Sequence, residues 1–103
     1  MIQETPSMAK LWKPMVNSEG EAVEAEEMQL PFSGAYRARV YVNDEEISGR
    51  RSWTSRVDRG GRSATFFMAS TMREAERSAE SYLFEMLTAH QKLELIAHLE
   101  AAR

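Results

Sequence analysis

The chain has 103 residues, enough for one domain with a single core and little more. It is 43% hydrophobic and 28% charged, an ordinary globular composition, and its formal net charge of -3 argues against wholesale non-specific binding to nucleic acid. It contains no cysteine, which excludes a disulfide, a thiolate nucleophile and a cysteine-based zinc site, and no apolar run nears the roughly 18 residues of a spanning helix.

No basic stretch followed by an apolar one opens the sequence, so a secretory signal is not expected and the expected location is cytoplasmic. Charge is unevenly placed. Residues 1–36 carry six Glu against two Lys, whereas residues 37–62 carry seven Arg against four acids. A basic middle between acidic ends points to a local surface that faces anions or acidic groups.

In chain order, residues 1–9 read as a mobile lead-in to the one domain spanning 1–103. Residues 10–30 form an N-terminal hairpin or a short acidic helix. Leu11, Trp12, Met15 and Val16 supply apolar bulk, and Asn17-Ser18-Glu19-Gly20 is a turn signal. The stretch 22–30 is rich in Ala and Glu, which favour helix, so strand and helix both stay open. Its acids make a solvated face or an acidic patch that mimics nucleic-acid phosphate.

Residues 36–69 read as an antiparallel sheet. Tyr36, Ala38, Val40 and Val42 alternate with Arg37, Arg39, Tyr41 and Asn43, the period of a strand with one buried face. Residues 43–46 are expected to turn the chain into a second strand, about 47–57. Trp53 and Val57 there lie opposite Arg50, Ser52, Thr54 and Arg56. Gly60-Gly61 allows a tight hairpin into a third strand, 62–69.

The helical region is 71–103. Thr71 and Glu74 have capping-box spacing, and Ala75, Ala79, Tyr82, Leu83, Met86 and His90 recur on one stripe. The expected core is Trp53, Phe66 or Phe67, Ala75, Ala79, Leu83 and Met86. Unbroken from Met72, the helix would run about 46 Å, against a domain about 26 Å across. It therefore breaks near His90 and folds back under the Trp12 segment, or its end projects. In the second case Leu93, Leu95, Ile96 and Leu99 would form a self-association surface, giving a homodimer, or dock a partner. The fold class is α+β: a three-stranded antiparallel sheet, open to extension by the N-terminal hairpin, packed on one face by a long C-terminal helix or helix pair.

The candidate binding residues are Arg37, Arg39, Tyr41, Arg50, Arg51, Arg56, Arg59 and Arg62. Guanidinium groups beside an aromatic suit phosphates and stacked bases, and equally the carboxylates of an acidic protein partner. His90, Glu94 and His98 share a helix face at steps of four, but successive turns drift by about 40° and no fourth ligand stands near, so no metal or other cofactor is expected. There is no G-x-S-x-G, P-loop or dinucleotide fingerprint, and a catalytic role is not expected.

The three strands followed by the 69–79 junction, which opens a helix at Thr71-x-x-Glu74-Ala75, resemble the C-terminal two-thirds of a double-stranded-RNA-binding domain. In that family the first helical turns carry a basic run that grips phosphates; aligned here it reads Met72-Arg73-Glu74-Ala75-Glu76, with Arg77 one position beyond. The resemblance implies that fold and an RNA partner. Residues 36–87 are also similar to HicB-type antitoxins and to small phage-encoded inhibitors such as anti-CRISPR proteins. Those likenesses imply a non-catalytic protein–protein inhibitor or regulator of the phage or mobile-element kind, with a nucleic-acid-binding module as the alternative.

Overall fold

Period-two alternation does produce three long strands in the computed structural model, which describes residues 5–32, 36–47, 49–61 and 63–101, with backbone alone for 44–47. A hairpin ahead of them adds two more. The strands are β1 (Trp12–Val16), β2 (Ala22–Met28), β3 (Tyr36–Ile47), β4 (Arg50–Arg59) and β5 (Ser63–Ala69), followed by helices α1 (Met72–Met86) and α2 (Ala89–Ala101). Their order across the sheet is their order in the chain, and every neighbouring pair is antiparallel. The sheet thus has five strands where the core expectation was three.

The β1–β2 hairpin forms because its turn is well specified. The Asn17 side chain accepts hydrogen bonds from the Glu19 and Glu21 amides at 2.9 Å each, and Gly20 takes the left-handed φ of +80° that the turn requires. Helix propensity in 22–30 loses to this turn and to cross-strand pairing, since β2 places Glu27 directly opposite Arg39 of β3. The predicted turn at 43–46 is corrected. Those residues lie inside β3, at a register irregularity between Val42 and Glu46, and Gly49 at φ +73° belongs to the actual turn. Asn43 tolerates its strand position because its amide bridges to β4, donating to Ser52 Oγ at 2.8 Å and accepting from Thr54 Oγ1 at 2.6 Å.

Register assigns Ala38, Val40, Val42, Trp53, Ser55, Val57, Phe67 and Ala69 to one face. Helix α1 lies across it with Ala75, Ala79 and Leu83 fully buried. Two alanines one turn apart let the helix approach the sheet closely. Thr71 caps the helix by accepting from the Glu74 amide at 3.1 Å. Of the expected core, Trp53, Phe67 and Met86 are half-buried, and Phe66 is the phenylalanine that faces outward, 53% exposed.

The helical region breaks at Leu87, whose backbone is extended. Thr88 and Gln91 then form a reciprocal capping box, each side chain accepting from the other's amide at 3.0–3.1 Å. Helix α2 folds back beside the N-terminal segment. A groove of about 330 Å³ is lined by Pro6, Ser7, Ala9, Lys10, Ile96, Leu99 and Glu100. Leu95 is fully buried and Ile96 and Leu99 pack on the core, leaving Leu93 as the exposed member. The four residues therefore share no outward face. Met8, placed by the sequence in a mobile lead-in, is fully buried.

Candidate functional site

The second face of the sheet has neither helix upon it, because α1 covers the first and α2 packs on the N-terminal segment. Alternation along each strand sends every other side chain there, and antiparallel register aligns them in rows. One row crosses all five strands: Lys13, Glu27, Arg39, Arg56 and Phe66. A second holds Ala25, Tyr41, Thr54 and Met68, and a third holds Arg37, Asp58 and Ala64.

Arg37 Nε and Arg39 Nε stand 3.5 and 3.6 Å from the same Glu27 oxygen. Arg56 Nε donates to Asp58 Oδ1 at 2.8 Å, and its guanidinium lies over the Phe66 ring, 5.4 Å from the centroid. These are exposed pairs of the kind that contribute about 0–1 kcal/mol each. Arg39 Nε is shielded from solvent yet has no hydrogen-bond partner, since its distance to Glu27 is too long for one. A depression of about 570 Å³ at this end of the face is lined by Tyr36, Arg37, Arg39, Arg56, Asp58, Gly60 and Gly61. Apolar side chains flank it, with Phe66 and Met68 both more than half exposed.

Of the eight residues singled out in the sequence, Arg37, Arg39, Tyr41 and Arg56 come together here. Arg50 shares their face by alternation but sits at the far end, opposite Ile47. Arg51 and Arg59 are odd-numbered on β4 and fall on the other side, where Arg51 bonds Glu24 at 2.6 Å and Arg59 stands opposite Tyr36. Strand alternation, which splits the β4 arginines between two faces, corrects the single surface first expected. Arg62 lies outside the described residues. Sequence reasoning missed Glu27, Phe66 and Met68 as members of the face. The signal was available in the even parity of 64, 66 and 68, once the Gly60-Gly61 turn sets β5 against β4.

A second charged cluster lies under the N-terminal segment. Glu80 of α1 is fully buried and accepts from the Met8 amide at 3.1 Å, Trp12 Nε1 at 2.8 Å, two Arg73 nitrogens at 2.6 and 3.2 Å, and Arg77 at 3.0 Å. Arg77 also reaches the Pro6 carbonyl at 3.3 Å. Burial disfavours the Arg73 charge, but Glu80 and then Glu76 outweigh it and raise its pKa. Arg73, the basic residue that the RNA-binding resemblance places at the helix start, is thus directed at buried carboxylates. Glu76 is also buried, and its pKa is pushed up to about 7, first by burial and then by the hydrogen-bonded carboxyl of Glu26, against the pull of Arg73. Through Met8, Trp12 and the Pro6 carbonyl, this cluster ties the N-terminal segment to α1.

His90 Nε2 and Glu94 Oε1 pair at 2.6 Å, and among the described residues no group of three His, Cys, Asp or Glu is placed to hold a metal. No described helix is long and apolar enough to cross a membrane. No family model matches the chain, and no curated protein or solved structure does so.

Proposed function

We propose that the chain is a non-catalytic binding protein, an inhibitor or regulator of the phage or mobile-element kind, that docks an acidic protein partner on the open face of its sheet. The observation that carries this reading is the mixture on that face. Arg37, Arg39, Arg56 and Tyr41 stand beside exposed Phe66 and Met68. Arginine, aromatic and methionine side chains are the ones enriched at protein interfaces. A partner carboxylate displaces Glu27 or Asp58 at small cost, because exposed pairs are weak. It also supplies the acceptor that Arg39 Nε lacks.

A nucleic-acid groove fits less well. Within the three rows, Lys13, Arg37, Arg39 and Arg56 stand with Glu27 and Asp58, four cations against two acids, a small net charge for a surface that must neutralise several phosphates. Affinity capture from nuclease-treated and untreated extract, with wild type and with Arg39→Glu/Arg56→Glu, tests the reading. A protein retained by wild type, lost with the double variant and indifferent to nuclease is the expected result. A gel shift with RNA or DNA that weakens steeply with salt and vanishes in the double variant would overturn it in favour of the nucleic-acid module.

A further inference from the structure

The two edges of the sheet are built in opposite ways. Strand β1, at one edge, carries exposed Lys13, has Pro14 in its middle and shifts register between Pro14 and Val16. A charge, a proline and a bulge are the devices that keep an edge from pairing with another strand. Strand β5, at the other edge, has none of them. Its sequence Ser-Ala-Thr-Phe-Phe-Met-Ala is uncharged, free of proline and glycine, and pairs with β4 without a break in register from Ser63 to Ala69. On its outer side no backbone group is hydrogen-bonded to another described residue.

We propose that β5 pairs antiparallel with β5 of a second copy of this chain, joining two sheets into one ten-stranded sheet with a two-fold axis at Phe66. The strand is self-complementary about that point. With Phe66 opposite its own counterpart, Ala64 meets Met68 and Thr65 meets Phe67, small against large on both faces. No charge lies on the strand to repel its copy, and none is there to select a foreign strand. Because β1 is blocked, growth stops at two chains instead of continuing as a fibre. Paired residues in an antiparallel ladder point to the same side, so the two open faces become one surface with the Arg56–Phe66 pairs at its centre. This dimer does not depend on the partner reading, since it is measured on the chain alone.

Sedimentation of the 103-residue chain from low to high micromolar concentration should give a monomer–dimer equilibrium. Phe66→Lys, which sets like charges opposite one another on the axis, should return the monomer. The chain has no native cysteine, so Phe66→Cys introduces a lone thiol at the axis, where directly opposed β-carbons come close enough for a disulfide. Under mild oxidation it should form a covalent dimer roughly tenfold or more faster than Val23→Cys, an exposed position on β2, because the pairing raises the effective thiol concentration. A wild type that stays monomeric at high micromolar concentration overturns the proposal. So does a dimer that survives Phe66→Lys, a dimer in which both cysteine variants cross-link alike, or growth beyond two chains.

Discussion

The molecule contains two arginine–carboxylate clusters of similar make-up and opposite circumstance. Around Glu80, two arginines, an indole N–H and a backbone N–H converge on a carboxylate with no exposed surface. On the open face, Arg37, Arg39 and Arg56 meet Glu27 and Asp58 at the surface, with the Arg37 side chain 62% exposed although Arg39 Nε itself is shielded. In the first case desolvation has been incurred and can be offset only while every partner stays, so the cluster is rigid and serves the fold. In the second, solvent screens the pairs and little stability is lost when one is broken, so the same chemistry is available to a ligand.

Glu80→Ala should break this contrast most severely. It removes the acceptor from Met8, Trp12, Arg73 and Arg77 together and frees the N-terminal segment from α1. A loss of about 3–5 kcal/mol is expected, the range for breaking a buried pair by deleting one member. Urea denaturation measures it. A loss no larger than that of Arg56→Ala would mean that burial does not separate the two clusters.

Glu76, one turn from Glu80, sharpens the comparison because it should respond in the opposite sense. Its proton is held more tightly in the folded chain, at about 7 against an ordinary 4.5, by burial and by Glu26, with Arg73 opposing. The stability carried by the protonated carboxyl is therefore complete below pH 4.5 and is lost as pH rises through about 7. The full difference is on the order of 3 kcal/mol. Glu76→Gln keeps an acceptor for Arg73 and stays neutral, so it should flatten this part of the pH profile and be more stable than wild type at about pH 8. Thermal melts of both proteins across pH decide the matter; parallel profiles would show that Glu76 ionises without penalty.

How much of this was legible in the sequence follows from what periodicity can carry. Alternation in 36–42 and the stripe through Ala75, Ala79 and Leu83 gave strand, helix and core directly, because each depends on neighbours within a turn or two. The five-stranded count depended on β2, where the Glu-rich composition spoke for helix and the deciding partner, Arg39, lay twelve residues beyond Glu27. Nothing in the local pattern marked Glu76 and Glu80 as buried, because the partners that close over Glu80 include Met8 and Trp12, about seventy residues away. On β4, counting parity from Trp53 would have separated Arg51 and Arg59 from Arg56. The open face gained Phe66 and Met68 only once register was known.

The helix break was left open against a projecting end, although Thr88-x-x-Gln91 repeats the spacing that marked Thr71 and Glu74. Thr88→Ala removes the acceptor for the Gln91 amide and should cost about 1 kcal/mol. Helix α2 supplies Leu95 to the core, so the loss should register in the global unfolding midpoint. A change confined to fraying of α2 by hydrogen exchange would mean that α2 is only loosely attached to the rest.

The smallest effect on stability and the largest on binding are expected from the same residue. Arg56→Ala gives up one exposed pair with Asp58 and a cation–π contact with Phe66, together about 1 kcal/mol or less. Asp58 is left on the face without its nearest cation, and the row Lys13–Glu27–Arg39–Arg56–Phe66 loses the member that joins its charged part to its apolar part. If the face docks an acidic partner, the variant should fold as well as wild type yet lose captured partner, and the companion Phe66→Ala should lose it as well. Truncating one anchor at the centre of an interface costs about 2 kcal/mol or more, roughly thirtyfold in affinity. Binding that falls with Arg56→Ala but ignores Phe66→Ala would mark a site that reads charge alone, and the phosphate-binding alternative would then take precedence over the protein one.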